Sequence, residues 1–126
     1  MAETSVLVIE DDRAVRETLV DALVFDGMSA VGAEDGRQAL DVLSQRHPEV
    51  IVLDLTMPTM DGWEFRRLHR RLYQDGQDVR LIVISATPDP RLDELGPDAY
   101  LKKPFDLDAF LEIVRGLVRQ RRELAS

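Results

Sequence analysis

The stretch IVLDLTMPTMDGWEF, residues 51–65, decides how this chain is read. Ile51, Val52 and Leu53 form a short apolar run that begins with two β-branched residues, the signature of a buried strand. Asp54 follows at once, with no polar residue between. A carboxylate beside a core strand is costly unless something pairs with it, so Asp54 is either a turn former or a working group. Pro58, Asp61 and Gly62 then mark a loop and a helix start, with Asp61 as the cap.

The same pattern recurs on both sides. Val6–Ile9 and Leu81–Ile84 are apolar runs like Val50–Leu53, and Ser29–Ala33 and Ala99–Leu101 are weaker strands. Helical spacing fills the gaps. Val15, Leu19, Ala22 and Leu23 line one face; Ala39, Leu40 and Leu43 line another, capped by Asp35. Phe65, Leu68 and Leu72 follow the third strand, and Phe110, Leu111, Val114, Leu117 and Val118 make the last helix, capped by Asp106. Strands apolar on both faces, alternating with helices, predict an α/β fold with a doubly wound parallel sheet. In such sheets ligands bind beyond the carboxyl ends of the strands.

Those ends carry matching chemistry. Glu10, Asp11 and Asp12 follow the first strand, Asp54 the third and Ser85 the fourth; Lys103, with Pro104 behind it, follows the last. Each residue has a bland reading alone: turn acid, loop serine, solvated lysine. Together they place carboxylates, a hydroxyl and an ammonium on one rim. Crowded carboxylates call for a cation. Oxygen ligands without His or Cys favour Mg²⁺, and a carboxylate can act as a nucleophile toward phosphorus.

Composition narrows the alternatives. The 126 residues suit one domain, the formal net charge of −8 argues against a nucleic-acid-binding surface, and the absence of cysteine excludes disulfides and thiolate metal sites. His47 and His69 are too few for a metal cluster. The acidic N-terminus is not that of a signal peptide, and no segment approaches a membrane span. A cytoplasmic protein without membrane contact is expected.

The blocks VLVIEDD, IVLDLTMPTMDGWEF, IVISA and AYLKKPF resemble, in order, the signatures of the response-regulator receiver domain of two-component signalling. The resemblance covers nearly the whole chain: residues 1–122 would be the domain and 123–126 a tail or linker start. It implies a flavodoxin-like (βα)5 fold with strand order 2-1-3-4-5. It also implies transfer of a phosphoryl group, with Mg²⁺, from a phosphohistidine on a sensor histidine kinase or histidine phosphotransfer protein. By resemblance Asp54 is the phosphoacceptor, Lys103 contacts the phosphoryl group, and Ser85 turns toward it. Tyr100 is the aromatic that swings inward on activation. The acid pair is Glu10 with Asp11 or Asp11 with Asp12. The family arginine five residues after the second acid matches Arg16 and favours the first register, leaving Asp12 as a helix cap. The metal ligands would be Asp11, Asp54 and the backbone carbonyl of Thr56, with Glu10 acting through water. Trp63 would report on the site.

Two departures stand out. Pro97 replaces a common alanine, and the interval from Ser85 to Lys103 is short, so the helix within it must be stunted or irregular. Two other readings share part of this pattern. A haloacid-dehalogenase-type phosphatase needs an acid two residues after the nucleophile, where Thr56 stands. A receiver-shaped scaffold that is never phosphorylated usually lacks one of the acids or the lysine. The expected protein is no enzyme in the turnover sense, since it would catalyse only its own phosphorylation and dephosphorylation. It carries no DNA-binding effector in these residues. Its downstream partner is a protein of unknown identity, and a homodimer is compatible with the sequence.

Overall fold

The computed structural model describes residues 5–55, 67, 68, 70, 71, 79–87 and 89–125. Five strands, β1 (Ser5–Ile9), β2 (Ser29–Ala33), β3 (Val50–Asp54), β4 (Arg80–Ser85) and β5 (Ala99–Lys102), form one sheet. The order is β2-β1-β3-β4-β5, and every pairing is parallel. The helices described in full are α1 (Arg13–Phe25), α2 (Gly36–Leu43), α3 (Arg91–Leu95) and α4 (Leu107–Ala125). This is the expected flavodoxin-like arrangement, with the reversal of strand order between β1 and β3.

Of the helix expected after β3, Arg67, Leu68, Arg70 and Arg71 are described and helical, and Leu68 is buried. Phe65 and Leu72 lie outside the described residues.

Local chemistry sets the helix starts. Asp12 accepts a hydrogen bond from the Val15 amide at 3.2 Å, and Asp35 one from the Gln38 amide at 2.8 Å, each satisfying an orphan donor of the first turn. At α4 the Phe110 amide donates to the Asp106 carbonyl, so Asp106 holds the cap position. α3 has only five residues and stops at Gly96, whose φ of 52° and ψ of 56° are left-handed. The prolines before it and the short interval to Lys103 leave room for little more.

Alternation along the strands splits the core in two. Leu7, Ile9, Ile51, Leu53, Leu81 and Val83 pack with α2, Leu68 and Leu95 on one face. Val6, Val8, Val50, Val52, Ile82 and Ile84 pack with α1 and α4 on the other. Asp54 pairs in register with Ile84, and Tyr100 with Val83. Asp54 therefore continues the α1–α4 face, while Ser85 and Tyr100 belong to the α3 face.

Candidate functional site

The carboxyl ends of β1, β3 and β4 place three buried polar residues together: Glu10 at 1% exposure, Asp54 at 2% and Ser85 at 0%. Lys103 enters from the end of β5, where its amide is tied to the Ser85 carbonyl at 2.9 Å. Its ammonium donates to Asp54 Oδ2 at 2.8 Å and to Glu10 Oε1 at 3.1 Å. The Lys103–Pro104 peptide is cis.

The electrostatics follow from crowding. Burial first, then the hydrogen bond to and repulsion from Asp54, raise the Glu10 pKa from 4.5 to about 8, against the pull of Lys103. Burial works against the Lys103 charge, but its hydrogen bonds and charge attraction to Asp54 and Glu10 outweigh this and raise its pKa. Near neutrality Glu10 therefore keeps its proton and shares it with Asp54. Lys103 is the cation that both carboxyl groups share, with Asp54 at 2.8 Å its nearer partner and Glu10 at 3.1 Å.

Asp11 is half-buried beside this group. Glu10, Asp11 and Asp54 each offer an oxygen, and the three oxygens lie within 4.8 Å of one another. Asp12 is exposed and engaged as the α1 cap. Of the two registers open in the sequence, the acids brought together are thus Glu10 and Asp11. An all-oxygen set with a retained proton is chemistry that a hard divalent cation would relieve.

Ser85 Oγ donates to the Thr87 carbonyl and accepts from the Thr87 amide at 3.3 Å, so its hydroxyl is held in its own loop. Tyr100 is 40% exposed. The Thr56 carbonyl, Pro58, Asp61, Gly62, Trp63 and His69 lie outside the described residues. His47 is exposed, as its charged surroundings suggested. Two contacts were not foreseen. Thr87 as the partner of Ser85 had no sequence signal. Arg16, which in the sequence marks only the register of the acid pair, donates from NH1 to the Glu10 carbonyl at 2.8 Å. A recess of about 670 Å³, lined in part by Val15, Thr18, Leu19, Phe105 and Leu107, opens beside Lys103.

Comparison with known proteins fits this geometry. Residues 6–115 match the response regulator receiver domain family. The chain is a response-regulator receiver domain. The receiver domain is 42% identical over 119 residues to response regulator MprA of Mycolicibacterium vanbaalenii, covering 91% of this chain and 50% of that protein. It is 40% identical over 121 residues to MprA of Mycobacterium avium, covering 93% and 52%. The chain thus spans about half the length of the curated relatives it matches. Among solved structures, the signal receiver domain from Bermanella marisrubri aligns with a TM-score of 0.78 at 31% identity, covering 93% of this chain and 99% of that one. A CheY-like receiver domain from Methanospirillum hungatei aligns with a TM-score of 0.84 at 18% identity, covering 97% and 98%, a likeness of fold. The receiver domain therefore belongs to two-component signalling, and neither the phosphatase nor the scaffold reading gains support. Among its described residues no helix is long and apolar enough to cross a membrane.

Proposed function

We propose that this receiver domain takes a phosphoryl group onto Asp54 from a phosphohistidine of a sensor histidine kinase or phosphotransfer protein. The observation that carries the reading is the Lys103 ammonium bridging buried Asp54 and Glu10 at 2.8 and 3.1 Å. An Asp54 carboxylate oxygen attacks phosphorus, and the N–P bond of the donor breaks. The electron pair returns to the imidazole nitrogen, which takes up a proton. Lys103 neutralises charge on the phosphoryl oxygens, and burial of Asp54 keeps its carboxylate poorly solvated and fixed in direction. The Ser85 hydroxyl leaves Thr87 and donates to a phosphoryl oxygen, and Tyr100 moves into the space beside it.

Asp11 and Asp54 would hold Mg²⁺, joined by the Thr56 carbonyl, with Glu10 through water; the oxygen cluster is the donor set such an ion takes. When bound, the ion offsets negative charge between the carboxylates and the incoming phosphoryl group. The readout is a contact with a downstream protein, and the cytoplasm is the compartment in which a kinase partner would meet this domain.

The test is incubation with acetyl phosphate and Mg²⁺, followed by mass spectrometry. One hydroxylamine-labile phosphoryl group is expected, absent in Asp54→Asn and absent with EDTA. A hydroxylamine-stable phosphoserine at Ser85, or unchanged labelling of Asp54→Asn, overturns the assignment.

A further inference from the structure

We propose that Arg16 is a positioning residue for the metal-binding acids, holding the Glu10–Asp11 backbone across a gap that Gly32 keeps open. The inference rests on the Mg²⁺-dependent reading above. Arg16 stands in the first turn of α1, where a cation faces the positive end of the helix dipole. The Asp12 carboxylate caps that end through the Val15 amide, and no further acid follows within the first turn. The neighbouring cation, Arg13, pairs with Glu17 at 2.8 Å, one turn on. Arg16 instead reaches back six residues and donates to the Glu10 carbonyl at 2.8 Å, in a part-buried setting.

The Glu10 amide donates in turn to the Ala33 carbonyl at 2.9 Å. Both peptide planes flanking Glu10 are thereby fastened, one to β2 and the other to α1. Because a peptide is planar, pinning the Glu10 oxygen also sets the direction in which the chain enters Asp11. Two of the three clustered carboxylates belong to the residues on either side of the peptide this bond holds; the Glu10 carboxylate is held as well by Lys103 at 3.1 Å and by the Asp12 amide at 3.4 Å.

Gly32 supplies the path. It lies inside β2, where glycine is unfavourable, and its φ is not positive, so the backbone itself does not require it. A Cβ at this position would stand 2.9 Å from both Cγ and Cδ of Arg16. These are mid-stem atoms with little freedom once the guanidinium is anchored. Two locally unfavourable choices, a cation at a helix start and a glycine in a strand, meet in one contact.

The test measures Mg²⁺ affinity by isothermal titration calorimetry for wild type, Arg16→Met, Arg16→Lys, Gly32→Ala and the Arg16→Met/Gly32→Ala double variant. The metal-free melting temperature is recorded in parallel. Arg16→Met should weaken Mg²⁺ binding on the order of tenfold, the scale of lost outer-shell partners. Arg16→Lys should restore part of the loss, and the metal-free melting temperature should move little. Gly32→Ala should weaken binding in the same direction, and the double variant should be no worse than Arg16→Met, because both act through one contact. Wild-type affinity in Arg16→Met, or full additivity in the double variant, overturns the proposal. Should Arg16→Met fail to fold by circular dichroism, wild-type affinity in Gly32→Ala overturns it. A wild type that binds no Mg²⁺ defeats the underlying reading, and this inference with it.

Discussion

A Glu10 carboxyl that holds its proton to about pH 8 makes the metal-free protein sensitive to pH. The unfolded chain releases that proton near the ordinary value of 4.5, so between 4.5 and about 8 the folded state binds one more proton than the unfolded state. Stability is then greatest at the acid side of this window and falls as pH rises through it, by at most ~1.4 kcal/mol per pH unit. Urea denaturation of EDTA-treated protein across the window should show this slope, and Glu10→Gln should flatten it. A flat wild-type profile would remove the shared proton from the site. Asp54 and Ser85 were legible in the sequence because each is a polar residue ending a buried apolar run, and Lys103 because it follows the weaker last strand. Which acids pair was open, since Glu10, Asp11 and Asp12 are adjacent and chemically alike. The fold separates them by using Asp12 as the α1 cap. The Arg16 contact to Glu10 was illegible for a different reason. It depends on where the stem crosses Gly32, a tertiary fact, although a glycine within a strand was a clue.

Among the elements, α3 is where local stability should be lowest. It has five residues, anchored by buried Leu95 and half-buried Leu92, and it ends in the left-handed turn at Gly96. Nothing lies within 4 Å of where a Cβ would sit on Gly96, so Gly96→Ala adds backbone strain without a clash. That strain is ~1 kcal/mol, about a fivefold change in a local opening equilibrium. Hydrogen-exchange mass spectrometry should show Arg91–Leu95 exchanging about fivefold faster in Gly96→Ala, with β1 and β3 unaffected. Equal exchange in the two proteins would mean that Gly96 does not limit this helix. The three central strands could be read from β-branched runs and the two edge strands from weaker ones, all within one residue at each end. The short helix was legible from the interval between Ser85 and Lys103 and from its prolines. The hydroxyl bond from Ser85 to Thr87 was not, because a turn of three residues leaves no periodic trace.

For the molecule as a whole, a cation that binds only the folded state adds RT ln(1 + [L]/Kd), about 2.7 kcal/mol at a hundredfold excess over Kd. For a chain of this size that is roughly 10 °C in melting temperature. Differential scanning calorimetry should find such a rise with Mg²⁺ and little of it in Asp11→Ala. An undiminished rise in Asp11→Ala would move the ion elsewhere. The split of the core by the sheet bears on how such a protein can diverge. Asp54 and the recess beside Lys103 lie with α1 and α4, whereas Ser85 and Tyr100 lie with α3. Substitutions at exposed Ala14 and Thr18 on α1 should change the rate of phosphotransfer from a protein donor while leaving exchange in Arg91–Leu95 as it was. Coupled changes in both would show that the faces are not independent. If they are independent, a duplicated gene copy can acquire a new sender on one side of the sheet while its message to the receiver on the other side stays the same.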